Sequence, residues 1–232
     1  EVMLGQAKVS ATRFPEWEAQ TLARPDLMQA LDATPGLQSL DLGPGMVQPV
    51  IRGLYGSRVA VLEDGVPQRG GRWGSDHGVL VAPELQVASA WVPGGGHVWM
   101  GPEAVGGGLR FESPSRQNSP ITTTRYGAVL RAGSPMAGVH ALYIASSPDV
   151  HWHAGLSVAL FGSNQVPQRR FSYLGRVYDL ETAALPNTAG RSGHAVLGVE
   201  RVTGNGRNVA WSMRASEVTQ GLFPGIIGLP LQ

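Results

Sequence analysis

Apolar side chains recur at every second position through much of the C-terminal half of the chain. Trp152, Ala154, Leu156, Val158 and Leu160 alternate with His151, His153, Gly155, Ser157 and Ala159. The same split separates Ala195, Leu197 and Val199 from Ser192, His194, Gly198 and Glu200, and Val209, Trp211 and Met213 from Asn208, Ser212 and Arg214. A period of two puts the two sets on opposite faces of extended strands. Five strands are predicted, near 122–133, 138–146, 150–161, 189–202 and 207–217. Gly204-Asn205-Gly206 closes the last two as a tight hairpin. Short connections at 147–149 and 203–206 fall at one end of this sheet, and long ones, 162–188 and beyond 217, at the other.

The first half has a different texture. Pro25 ahead of Asp26-Leu27-Met28-Gln29-Ala30-Leu31 predicts a short helix, with Leu27 and Leu31 on one face and Thr34-Pro35-Gly36 ending it. Val50-Ile51 and Arg58–Leu62 read as strands, the second closed by Asp64-Gly65, a turn pair that tolerates positive φ. From Pro83 to Val92 a helical turn and a strand both fit. Gly94–Gly96 and Gly106–Gly108 bracket a small-residue segment leading into Leu109-Arg110-Phe111, and their use is close backbone approach. A Pro- and Ser-rich stretch, 113–120, precedes the change to period two and is read as the domain boundary.

Composition narrows the classes. Only 15% of the 232 residues are charged, and between Arg131 and Arg169 the one charge is Asp149. That stretch is broken by Gly, Pro, Ser and His too often for a helix, and no run of about 18 apolar residues could cross a bilayer as one. Strands with one face in lipid have this makeup, and outer-membrane barrels pair short periplasmic turns with long extracellular loops. A soluble β-sandwich with one buried face fits the alternation alone equally well. Net charge is +1 and Lys8 is the single lysine, so no basic cluster points to nucleic acid. With no cysteine, neither disulfides nor thiolate metal sites arise.

Four segments, taken in order, carry a family resemblance. They are Leu31-Asp32-Ala33-Thr34-Pro35-Gly36-Leu37, Pro49–Leu54, Arg58–Val66 and Ala104–Phe111. Together they resemble the plug domain of TonB-dependent outer-membrane receptors. Trp73–Gly78 and Gly221–Ile226 are similar to segments of receptors of the Bacteroidetes type. The resemblance implies an α+β plug domain over 1–112 and, over 113–232, the antiparallel first strands of an outer-membrane β-barrel that is incomplete, since the family's barrel has about 22 strands. It implies active uptake of a scarce nutrient across the outer membrane of a Gram-negative bacterium, with TonB of the inner-membrane complex and outer-membrane lipid as partners, no cofactor, and no chemistry done on the substrate. Glu1-Val2-Met3-Leu4 stands where the TonB-contacting segment is expected. Two departures stand out: Ala90 and Pro93 replace the usual Glu and basic residue of one plug strand, and Met100-Gly101-Pro102 replaces the usual Tyr-Gly-Ser.

Candidate residues follow. Asp76 and His77, with Trp73, are expected at the plug apex as substrate contacts for a metal ion or metal complex, because carboxylate and imidazole both ligate zinc-like cations and a similar Asp-His occurs in receptors of the zinc-uptake type. The alternative is that Asp76 caps a turn and His77 packs beneath Trp73. Arg52 is expected either to pair with acids of the barrel wall or to be an ordinary charge at a strand end. Ser75-Asp76-His77 is no hydrolase triad, since contiguous side chains diverge, and no enzyme is expected. His151 and His153, two apart on one face, can share a metal or simply line a polar lumen; with His140 and His194 nearer the opposite end, the four should not converge. The competing function is a stand-alone plug-like binding module without transport.

Overall fold

A computed structural model describes residues 12–13, 36–43, 46–68, 78–93, 100–115, 119–132, 135–166, 168–173, 175–179, 181–185, 187–204 and 206–221. The helix expected over 26–31, the segments 1–4 and 94–96, Trp73, Asp76 and His77, and positions 222–226 lie outside the described residues.

The N-terminal half builds a five-stranded mixed sheet in the order β1-β6-β7-β4-β5. Its strands are β1 (Thr12–Arg13), β4 (Val59–Glu63), β5 (Val66–Pro67), β6 (Ala88–Pro93) and β7 (Gly107–Glu112), with β4 and β7 parallel. A separate hairpin of β2 (Leu37–Gly43) and β3 (Met46–Ile51) accompanies it. All five residues of β4 are buried, because both faces are covered. Val59 and Val61 join Leu37, Val47, Ile51, Val81, Trp91, Leu109 and Phe111 on one side, while Ala60 and Leu62 meet Met100 and Ala104 on the other. Gly108 permits this thickness: a Cβ there would come within 2.6 Å of the Ala60 carbonyl oxygen. Asp64 and Gly65 have φ of 49° and 80°, the turn chemistry that their sequence predicts. The ambiguity at 83–92 resolves into both alternatives in succession, a single 3-10 turn at Pro83–Leu85 and then β6.

The C-terminal half is an antiparallel meander of β8 (Ile121–Arg131), β9 (Met136–Ser146), β10 (Val150–Phe161), β13 (Gly190–Val202) and β14 (Asn208–Thr219). Its sheet order is β14-β13-β10-β9-β8, and it does not close on itself. The long connection after β10 carries a small hairpin, β11 (Arg170–Tyr173) with β12 (Arg176–Asp179), which the alternation did not predict. Continuous register puts Trp152, Val199 and Trp211 in one cross-strand row and Ala154, Leu197 and Met213 in the next, with Leu156 and Val158 in the two rows beyond. His153, Ser157, His194, Glu200 and Ser212 fall on the opposite face. Charges on the apolar face stand only toward its two ends: Arg201, and the ion pair of Arg191 with Glu217 at 2.9 Å. On β10 the face carries no charge from Trp152 to Leu160, eight steps along the strand, which is about 27 Å in length and about 20 Å in height at the tilt usual for membrane barrels. The fold is a plug-type sheet beside the opening strands of a barrel.

Candidate functional site

The polar face of the meander is an inner wall, and the N-terminal sheet docks on it. One cross-strand row carries much of the contact: Arg125 on β8, Leu142 on β9, Gly155 on β10, Val196 on β13 and Arg214 on β14. Leu85, fully buried in the 3-10 turn, enters at the centre of this row and packs with Ala82, Leu142 and Val196. The absent side chain of Gly155 makes the hole, since a Cβ there would sit 3.0 Å from both Leu85 and Leu142 and 3.1 Å from Val196. Buried Glu84 accepts a hydrogen bond from the Ser157 hydroxyl one row away.

Arginines grip the docked sheet at both ends of that row. Arg125 Nη2 donates to the Gln86 carbonyl at 2.7 Å. Arg214 pairs with Asp64, lies 3.2 Å by its Nε from Glu63 Oε1, and donates from Nη2 to Ser113 Oγ at 2.7 Å. The Nε contact is an ion pair without an aligned hydrogen bond. Gln68 and Gln86 donate to the two oxygens of Glu63, and the Ser113 amide donates to Asp64 Oδ1. Burial pushes the Glu63 carboxyl above the ordinary carboxylate range; Arg214 pulls it down, neighbouring Asp64 adds to the rise, and burial wins.

Among the described residues, the ion pairs between sheet and wall join sheet acids to a wall arginine. Arg52 itself is exposed, with Gly53 at the centre of a tight turn, and its φ of 50° and the Gly53 φ of 81° define that turn. Its backbone amide donates to the Gly36 carbonyl at 3.0 Å. Single-sequence reading passed over Glu63, Glu84, Leu85, Gln86 and Arg214. Glu63-Asp64, two adjacent acids closing an otherwise apolar strand, was the available signal.

At the end of the meander with the long connections, a cavity of about 60 Å³ lies between segment 79–84 and the wall. Arg131, Met136, Phe161, His194 and Gln220 border it, together with Glu84. Val79 lines the cavity as well; Trp73, Asp76 and His77 precede it by two to six positions in the sequence. Of the histidines, His140 and His194 flank Ser157 in one row but turn apart. His140 lies over Gly127, and His194 Nδ1 is 3.0 Å from Ser216 Oγ. His151 and His153 sit nearer the opposite end, as their strand positions predict. Among the described residues no three His, Asp or Glu side chains gather as a metal site.

Comparison with known proteins agrees with this architecture. Residues 6–108 match the family model described as TonB-dependent Receptor Plug Domain. Among solved structures, the copper transporter OprC superposes with a TM-score of 0.66 at 17% identity, covering 85% of this chain and 28% of that one. The FrpB iron transporter from Neisseria meningitidis gives 0.61 at 13% identity, with coverage of 84% and 30%. The ferric enterobactin receptor PfeA from Pseudomonas aeruginosa gives 0.60 at 14%, with coverage of 84% and 31%. This chain therefore spans under a third of the length of each. No curated protein sequence matches it.

Proposed function

We propose that the chain is the plug and opening barrel wall of a TonB-dependent receptor that takes up a scarce nutrient through the outer membrane of a Gram-negative bacterium. The division is put at 112/113, where β7 ends and the strap toward the wall begins. One observation carries the reading: a meander whose outward face is apolar between charged ends, and whose inward face is polar and occupied by a second sheet. A soluble sandwich buries its apolar face against its second sheet, whereas here Leu156, Leu160, Trp211 and Met213 are exposed and the partner sheet covers the polar side. Lipid is the solvent for which such a face is suited.

The cargo is a metal ion or metal complex, approaching from the end with the long connections, where the cavity lies; Asp76 and His77, with Trp73, are assigned as its contacts because they come a few positions before the cavity residue Val79 in the sequence. Copper, iron and ferric enterobactin appear in the names of the structural neighbours, which supports the cargo class without choosing a member. Arg52 is assigned to a part of the wall beyond these five strands, and the segment from Glu1 to Leu4 to TonB. The test is calorimetric titration of the complete receptor with zinc, copper and iron chelates, beside Asp76→Ala/His77→Ala. Tight binding of one of these, weakened at least tenfold in the double variant, is expected. Unchanged affinity and stoichiometry in the variant removes the apex assignment, and no binding of any of them removes the cargo class.

A further inference from the structure

Two buried imidazoles on the inner wall face one another. His151 and His153 are 1% and 5% exposed, and Nε2 of the first lies 3.2 Å from Nδ1 of the second. Two positions apart on the same face of β10, they are held from both sides. The ring of His153 lies over Gly198 of β13, in space that any Cβ would take. The ring of His151 is shut in beside the backbone of Pro114 in the strap, and its Nδ1 is buried.

We propose that His151 and His153 form a two-imidazole site for a first-row divalent cation, of which copper(II) is the strongest binder. Two metal–nitrogen bonds of about 2.0–2.1 Å meeting at roughly 90–109° put their nitrogens about 2.9–3.4 Å apart. The observed separation falls inside that range, and a modest rotation of the rings turns their lone pairs from one another onto a shared ion. In the metal-free protein the same distance holds one N–H···N hydrogen bond between the two rings. On binding, that proton moves to the other nitrogen of its own ring, so two neutral imidazoles ligate and no net proton is released. The charges nearest the pair are Glu200 beside His151, and Asp64 and Arg214 beside His153. They sum formally to −1, a field that tolerates a cation. Two protein donors supply only half of a usual four-ligand set, so such a site holds its ion weakly enough to release it. The site is separate from the apex residues and does not require that the cargo be a metal.

The test uses the full-length protein purified in detergent, with Cu²⁺ as the probe and electron paramagnetic resonance counting equatorial imidazole nitrogens. A bound copper with two equatorial imidazole nitrogens is expected. His151→Gln and His153→Gln should each lose the two-nitrogen signature and weaken binding about tenfold or more. His77→Ala, His97→Ala and His194→Gln should leave it intact, which separates this site from the apex reading. A wild-type spectrum with one or no imidazole nitrogen overturns the proposal whether or not the variants fold. So does a two-nitrogen spectrum that survives in both His151→Gln and His153→Gln.

Discussion

Arg125 and Arg214 stand at opposite edges of a five-stranded sheet yet in the same cross-strand row, each holding a different part of the docked sheet. Midway between them Gly155 admits Leu85. A hydrophobic knob flanked by two charge-assisted grips fixes both position and rotation, because the knob alone would leave the sheet free to turn about it.

Gly155→Val tests the knob. Valine suits a strand, so the wall should assemble as before, but its methyls occupy the place of Leu85. The plug should dock less stably by about 1–3 kcal/mol. Proteolysis of the refolded receptor checks this: cleavage within 1–112 should accelerate while the barrel strands stay protected.

The Arg214 cluster gives a pH dependence whose sign follows from Glu63. Its folded-state carboxyl is raised above 4.5, so the folded protein holds this proton more tightly than the unfolded chain does. The stabilisation from Glu63 is therefore complete below the unfolded carboxylate range and is lost as pH rises through the raised folded value. Glu63→Gln should flatten plug melting temperature against pH in that window. Arg214→Ala removes the attraction that opposes burial, so it should carry the window to higher pH and destabilise docking by about 3 kcal/mol at neutral pH. Melting curves of the three proteins from acid to neutral pH decide it; identical profiles would show that Glu63 is not buried against Arg214.

Lipid exposure predicts a graded response along the apolar face. Leu156→Arg, in the middle row, should cost about 2–4 kcal/mol of folding free energy in a bilayer, whereas Val209→Arg, beside the short turn, should cost about 0–1 kcal/mol. Equilibrium refolding into vesicles measures both, and equal costs would mean that no membrane spans this face.

Gly198→Val should drive the His153 ring off its seat without disturbing the strand, since the valine side chain needs the space that the imidazole fills. Loss of the mutual hydrogen bond should appear in ¹⁵N-histidine spectra as a change of tautomer at His151 and His153 alone, with His140 and His194 unmoved.

Alternation fixed the meander from residues alone, because in an extended strand the face of a side chain depends only on parity. The strands near 138–146, 150–161 and 189–202 lie within two residues of β9, β10 and β13, and the faces of Trp152 and His153 follow at once. Turn chemistry did the same for Asp64-Gly65, whose positive φ is a local property. Nothing local, however, tells that Gly155 is a hole for Leu85, 70 positions earlier, or that Arg214 answers Glu63 and Asp64. Those pairings depend on which rows of the wall lie opposite which turns of the plug, and that is decided by how two sheets pack. The contact of His151 with His153 stands between the two cases: the strand's period put both on one face, while Gly198 on the neighbouring strand seats the His153 ring so that the nitrogens lie 3.2 Å apart.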